Sequence, residues 1–366
     1  MSRSLNVLQV LGRSAGGIAK HVAQITKALD DGDLSVDVAG PGDLPVAMPK
    51  PVIPVLIPDG PLGHTRAVRR LRSYLRQGEY DVVHAHGLRA GIDAALAARP
   101  LEVPVLQTVH NLVRPDVSGR LRAAAYRWAE PLSVRLTRNT FAVSEEIARH
   151  LRAQSPGSAG RIEVLYLGIG EVPRVRRTPA EVRADARVPD EGKLIVSASR
   201  LSGQKALDVM LSAVARLHDD VILAVLGRGP DGQRLEAMSQ MLGLGERVRW
   251  LGWRDDIADW INAADVFTLS SNWEGVPLAA QEAILLGTPV VSTDVGGMPE
   301  LIGDRSSGRL VAKGDSEALA VALNDVLSAP ETAERYAKQA VVDLRRRFST
   351  DQMLARLRAA YEWHAR

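Results

Sequence analysis

The sequence contains no cysteine. That excludes disulfides, thiolate-bound zinc and cysteine nucleophiles together, and makes a reducing compartment the natural place to fold. Aromatic residues are scarce, at 4% of 366 positions, so the arginine-rich segments lack the interleaved rings on which single-stranded nucleic acid stacks. No run approaches the roughly 20 apolar residues that span a bilayer. The apolar stretch 5–11 is broken by Asn6 and Gln9 and leads into a glycine loop instead of a small-residue cleavage site, so a first strand is expected there and not a signal peptide. Metal ligands are sparse as well. His84 and His86 project the same way from one strand without a third ligand nearby, which favours packing or substrate contact. Asp31-Gly32-Asp33 imitates an acid pair for a divalent ion, but it follows the first helix, at the end of the sheet away from the glycine turn.

What is present suffices for two globular domains: 46% hydrophobic residues over a length that favours about two cores. The net charge of +3 hides an asymmetry. Residues 1–170 carry 21 Lys and Arg against 15 Asp and Glu, and the rest carry 25 against 28. In the basic half, Arg66, Arg69, Arg70, Arg72 and Arg76 share a helical segment, and Arg114, Arg120, Arg122 and Arg127 form a second group. An anionic membrane surface or an anionic acceptor suits such patches; an ordinary solvated arginine face is the plainer alternative.

Short apolar runs alternate with helical patterns throughout. Strands are expected at 5–11, 35–39, 81–86, 105–109, 140–143 and 162–166, with an extended, proline-bounded piece at 52–57. The intervening helices include 18–29, 66–77 and a longer one at 121–137, interrupted at Pro131. Residues 168–179, rich in glycine, proline and charge, read as a connector, after which strands at 194–198, 221–226, 248–251 and 264–270 open a second series. The expected fold class is α/β: two doubly wound, Rossmann-like domains facing across a cleft, residues 1–170 and 171–349. The amphipathic last helix, 350–366, packs back on the first domain.

The second series culminates in two adjacent strand-to-helix turns. Strand 264–270 runs through Glu274-Gly275-Val276-Pro277-Leu278 into a helix with Pro277 at its first position, and that helix ends at Gly287, which suits a left-handed cap. Strand 288–293 then turns through Asp294-Val295-Gly296-Gly297 into a helix at Met298. In an open parallel sheet such turns gather at the carboxyl ends of the strands, where ligands bind and free helix amides favour anions. Glu274 in the loop and Glu282 in the helix, about one and a half turns in, can reach different parts of one elongated ligand. Taken alone, the two acids also fit a loop carboxylate and a first-turn helix acid.

Three further loops follow strands. Gly12-Arg13-Ser14-Ala15-Gly16-Gly17 leaves amides free for a phosphate or sugar oxygen, or serves only as a turn. Ser199-Arg200-Leu201-Ser202-Gly203-Gln204-Lys205 offers two cations that can clamp a diphosphate, solvated loop cations being the alternative. Gly227-Arg228-Gly229-Pro230-Asp231-Gly232 fits the dinucleotide pattern G-x-G-x-x-G and argues for a nicotinamide or flavin enzyme. Against that, Pro230 stiffens the loop, and the next strand ends in Trp250-Leu251-Gly252-Trp253 without the acid a ribose expects.

With Gly16-Gly17, Arg200 and Lys205, Gly227-x-Gly229-Pro230, Glu274 and Glu282 in this order, nearly the whole chain resembles the GT-B retaining glycosyltransferases of glycosyltransferase family 4. The resemblance implies a sugar-nucleotide donor, UDP- or GDP-linked, on the second domain, and a hydroxyl acceptor on the first. It implies chemistry with no metal and no further cofactor. Carried over by position, Arg200 and Lys205 hold the diphosphate, Glu282 takes the ribose hydroxyls, and Glu274 with Gly275 and Val276 fixes the transferred sugar. Pro277, Leu278 and Gly229 complete the donor loops, Arg254 lies where the family contacts the base, Gly16 and Gly17 approach the phosphate and acceptor, and His110 matches the active-site histidine. Two departures stand out: Ala206 replaces a usual glycine after Lys205, and Leu165-Tyr166-Leu167-Gly168-Ile169 replaces a usual Pro-Asn-Gly exit.

The resulting expectation is a cytoplasmic enzyme, with the inner face of the membrane as a second location. It moves a hexose to a glycan, a lipid-linked sugar or a small molecule. No nucleic-acid partner is expected. The rivals are a sugar-nucleotide epimerase on the same fold, an NAD-dependent oxidoreductase using the Gly227 loop, and a non-catalytic nucleotide-sugar binder.

Overall fold

The computed structural model describes residues 4–13, 17–60, 62–112, 120–169 and 171–365. The chain divides into two compact units, Met1–Gly168 with Ser349–Arg366, and Ile169–Phe348.

In the first unit β1 (Leu5–Leu11), β2 (Leu34–Gly40), β3 (Ile53–Pro54), β4 (Val82–His86), β5 (Val105–Val109), β6 (Asn139–Ala142) and β7 (Ile162–Val164) form one parallel sheet. Its order is β3-β2-β1-β4-β5-β6-β7. The central strands are buried on both faces, as a parallel sheet covered by helices requires, and β4 and β5 have no exposed residue. Pro54 sits in the edge strand β3, where a missing amide donor removes no ladder bond. Alternate residues of β1 serve opposite cores. Leu8 and Val10 pack with Leu71 and Leu75 of α2 (His64–Gly78) and Ala90 and Ala94 of α3 (Leu88–Ala98). Val7 packs with Ile25 and Leu29 of α1 (Gly17–Leu29) and with Met353, Leu357 and Tyr361 of the C-terminal helix Thr350–His364. In that helix Tyr361 is fully buried, whereas Trp363 faces outward.

The helix Arg120–Leu136 runs through Pro131 without the interruption its sequence suggests. Proline there removes one helical hydrogen bond, a loss offset by packing against α3 and the helix Glu145–Gln154. Gly168 closes the unit at a close approach: a Cβ on it would lie 2.6 Å from the Thr350 Cα. Only glycine fits there. Of the α2 arginines, Arg66, Arg69, Arg70 and Arg76 are exposed, while Arg72 turns to the carbonyls of Leu96 (2.8 Å) and Ala97 (3.3 Å) and ties α2 to α3.

The second unit contains β8 (Lys193–Ala198), β9 (Val221–Leu226), β10 (Val248–Gly252), β11 (Val266–Leu269), β12 (Val290–Thr293) and β13 (Arg309–Val311), parallel in the order β10-β9-β8-β11-β12-β13. Both sheets therefore reverse direction once, between β1 and β4 in one and between β8 and β11 in the other. Crevices at such switch points are where open α/β sheets take their ligands. No described helix is long and apolar enough to cross a membrane.

Candidate functional site

The switch point of the second unit brings the loop after β8 against the loop after β11. The Asn272 amide nitrogen donates to the Gln204 carbonyl (2.8 Å) and its side chain to the Gly203 carbonyl (2.9 Å). Gln204 donates back to the Trp273 carbonyl (3.1 Å), and the Ser270 hydroxyl bridges the carbonyls of Lys205 and Ala206. This lacing sets Lys205 against Glu274. Their Nζ and Oε1 atoms are 2.5 Å apart, and the same Oε1 accepts from the Ser271 hydroxyl at 2.5 Å. The Glu274 side chain is 5% exposed and that of Lys205 16%, so this pair is largely withdrawn from water. Ser271 escaped the sequence reading; its spacing of three residues before Glu274 is the signal that could have found it.

Beyond Glu274 the chain enters the helix Leu278–Leu285, with Pro277 as its N-cap rather than its first helical residue. The amides of Gly275, Val276, Leu278 and Ala279 donate to no acceptor among the described residues. They form a row of free donors at a helix amino terminus, suited to anionic or hydroxyl oxygens. Glu282 is half-buried as the fifth residue of the helix, which closes at Gly287 with φ of 76°. The next turn supports this loop from behind. The Gly297 amide donates to the Gly275 carbonyl (2.6 Å), and a Cβ on Gly296 would lie 2.0 Å from the Glu274 carbonyl oxygen.

Arg200 is exposed and has no partner among the described residues. Arg254 is held: Nε and one terminal nitrogen each lie 2.6 Å from an oxygen of Asp256, and the guanidinium stands over the Trp260 ring at 5.2 Å. Arg254 in turn holds the Asp256 carboxyl below its ordinary range. The glycines at 227 and 229 have a structural reason of their own. A Cβ on Gly227 would lie 1.9 Å from the Ser199 carbonyl oxygen, and one on Gly229 2.1 Å from that of Leu201. Their backbone packs on the loop that carries Arg200, and the dinucleotide pattern is accounted for by this close approach.

Ala206 adopts the left-handed conformation, with φ 45° and ψ 45°, where the resemblance expects glycine. An L-residue pays about 1–2 kcal/mol there. Ala206→Gly is therefore expected to stabilise the protein by about 0.5–1 kcal/mol, net of the lost methyl burial and added backbone freedom. Urea denaturation checks it; a lower midpoint in the variant contradicts the argument.

In the first unit, loops after β1, β4 and β5 surround a cavity of about 150 Å³ lined by Gly12, Arg13, His86, Arg89, His110 and Asn111 among others. Gly17 begins α1. Gly16 and Arg114 lie outside the described residues. One terminal nitrogen of Arg89 pairs with Asp59 (2.8 Å), while the other is buried without a partner. Behind the cavity four histidines gather: His21 from α1, His84 and His86 from β4, and His110 after β5. The His86 ring lies 4.4 Å from His84 and 5.5 Å from His110, and His21 meets His86 and His110 edge-on. Burial depresses all four, to about 4 for His21, about 3 for His84 and well below the ordinary value for His86 and His110; mutual repulsion among the rings adds to the effect for the last three. Both ring nitrogens of His21 lack a partner. This cluster was not visible as a unit in the sequence. At the other end of α1, Asp31 accepts from the Leu34 amide and pairs with Arg358, so it is engaged in structural contacts.

The sequence family described as Glycosyltransferase Family 4 matches residues 15–170, and that described as Glycosyl transferases group 1 matches residues 180–342. A D-inositol 3-phosphate glycosyltransferase from Xylanimonas cellulosilytica is 30% identical over 95% of this chain and 91% of its own length. The enzyme of the same name from Streptomyces avermitilis is 31% identical over 72% of this chain. Here the match spans only 61% of the relative's length, and 63% for its counterpart in Streptomyces scabiei. Among solved structures, HepE from Anabaena in complex with UDP superposes with a TM-score of 0.82 at 21% identity, covering 98% of this chain and 100% of that one. Sucrose-phosphate synthase from Thermosynechococcus elongatus gives 0.84 at 22% identity, with 98% of each chain covered.

Proposed function

The chain belongs to family 4 of the glycosyltransferases, with the GT-B fold, and from that premise we propose that it moves a hexosyl unit from a nucleoside diphosphate sugar to an acceptor hydroxyl. Configuration is retained and no metal takes part. The observation that carries this reading is the second-unit switch point, where the buried Lys205–Glu274 pair stands beside a row of undonated amides. Arg200 and Lys205 meet the charge that develops on the departing diphosphate, and the free amides of 275, 276, 278 and 279 take its oxygens or those of the sugar. Glu274 orients the sugar ring, Glu282 the ribose, and Arg254, which stands over the Trp260 ring, the base. The bond from C1 to the diphosphate oxygen breaks as the bond to the acceptor oxygen forms on the same face. The acceptor proton passes to the departing phosphate oxygen, and the products are the glycoside and the nucleoside diphosphate.

A uridine donor is supported by HepE, which is bound to UDP and to UDP-glucose in its structures. The acceptor occupies the first-unit cavity, where His110 contacts it and Arg13 and Arg89 suit an anionic group. The relatives' names make D-inositol 3-phosphate the first acceptor to test. The exposed arginines of α2 suit an anionic membrane surface.

Incubation with UDP-glucose and D-inositol 3-phosphate in EDTA, followed by proton NMR, tests the reading. An α-linked product with release of UDP is expected. Conversion of the sugar nucleotide to an epimer in the absence of acceptor points to an epimerase instead.

A further inference from the structure

Hydrogen bonds in the first unit run from the C-terminal helix to His110. The Gln9 side-chain Nε2 donates to the Tyr361 hydroxyl at 3.0 Å, and the Gln9 side-chain Oε1 lies 2.7 Å from His86 Nε2. His86 Nδ1 lies 3.2 Å from His110 Nε2. On the other side of Tyr361, its hydroxyl is 2.6 Å from His84 Nδ1, and His84 Nε2 is 2.8 Å from the Thr108 hydroxyl. Gln9, His84, His86 and Tyr361 are 0–3% exposed, so no water competes for these partners.

An amide oxygen can only accept, so His86 Nε2 carries hydrogen. A neutral His86 then has its lone pair on Nδ1, and His110 must donate to it from Nε2. Neutral His110 is left with a bare Nδ1, the one nitrogen of the His86–His110 pair without a partner among the described residues, and its ring lines the cavity. We infer that Gln9, His86 and Tyr361 are positioning residues that lock His110 as the Nε2–H tautomer and keep its Nδ1 a hydrogen-bond acceptor for a hydroxyl of the acceptor other than the one that attacks, whose proton goes to the departing phosphate. The C-terminal helix is thereby part of the acceptor site. The inference rests on the reading of His110 as an acceptor contact. Among the described residues, the other titratable or charged groups around the ring are His21 from α1, His84 from β4, and Arg13 and Arg89 at the cavity.

The test uses the full chain labelled with ¹⁵N at histidine, and reads tautomers from long-range proton–nitrogen spectra without substrate. Wild type is expected to show His86 and His110 both protonated at Nε2 and bare at Nδ1. Tyr361→Phe, which keeps the ring, frees the Gln9 amide to turn over; Gln9→Met removes the link altogether. Both variants should give a mixture of tautomers at His86 and His110, a fall of about tenfold in kcat/KM for the acceptor, a shifted pH profile and an unchanged KM for the donor. Hydrogen on His110 Nδ1 in wild type, or unchanged tautomers in the folded variant, overturns the inference. Because the spectra need no turnover, a wrong tautomer and a wrong enzymatic reading give different results: the latter leaves the tautomers as predicted and transfer absent from every donor and acceptor pair.

Discussion

Lys205→Met is expected to lower kcat/KM for sugar transfer by about 10²- to 10³-fold and to cost the fold about 3 kcal/mol. The two losses have different origins. Activity is expected to fall because the cation proposed to face the departing diphosphate is gone from a preorganised site. Stability falls because Glu274, 5% exposed, is left as a carboxylate with the Ser271 hydroxyl as its remaining partner and no countercharge. The double variant Lys205→Met/Glu274→Gln separates them: a neutral amide in place of the carboxylate removes the buried charge, so most of the stability returns while activity does not. Urea denaturation and steady-state release of nucleoside diphosphate read the two quantities. Transfer restored in the double variant would mean that Lys205 acts only as a structural partner of Glu274.

Acid should unfold the first unit over an unusually narrow range. His21, His84, His86 and His110 stay neutral in the folded chain at pH values where an unfolded histidine, titrating near 6.5, binds a proton. Their contribution is therefore complete above about pH 6.5. It is lost as pH falls toward the folded values, about 4 for His21 and about 3 for His84. Each such group removes about 1.4 kcal/mol per pH unit in that window, so four together remove about 5 kcal/mol per unit. That is comparable with the whole stability of an ordinary domain. Urea midpoints between pH 7 and 5 should fall steeply, with an uptake approaching four protons on unfolding. In His21→Leu the uptake should drop by one, and stability at pH 7 should rise by about 1 kcal/mol, because an imidazole with no partner is replaced by an apolar side chain. A flat profile from pH 7 to 5 contradicts the cluster as described.

Much of the candidate donor site was legible because it is built from local signals. Pro277, Gly287 and the two apolar runs around Glu274 mark one strand-turn-helix unit, and its repetition at Gly296-Gly297 places two such turns side by side. Spacing does not show which groups meet. Lys205 and Glu274 are 69 residues apart, and their contact depends on the pairing of β8 with β11. The histidine cluster draws on α1, β4 and β5, so His84 and His86 read as a lone pair. Gly227 and Gly229 carry a nucleotide-binding pattern for a packing reason, the approach of Ser199 and Leu201, which only the folded backbone reveals. Pro131 misled in the opposite direction, since tertiary packing holds a helix through a residue that breaks an isolated one.

The second unit is proposed to hold a nucleoside diphosphate sugar through Arg200 and its neighbours without a metal. Thermal unfolding with UDP, GDP, ADP or NAD, each in EDTA, tests it most directly. A nucleotide at about 100 times its Kd adds about 2.7 kcal/mol. UDP or another nucleoside diphosphate should raise the melting temperature of the wild type and leave Arg200→Ala unmoved. A shift with NAD alone, retained in Arg200→Ala, would contradict the account and return the Gly227 loop to a dinucleotide.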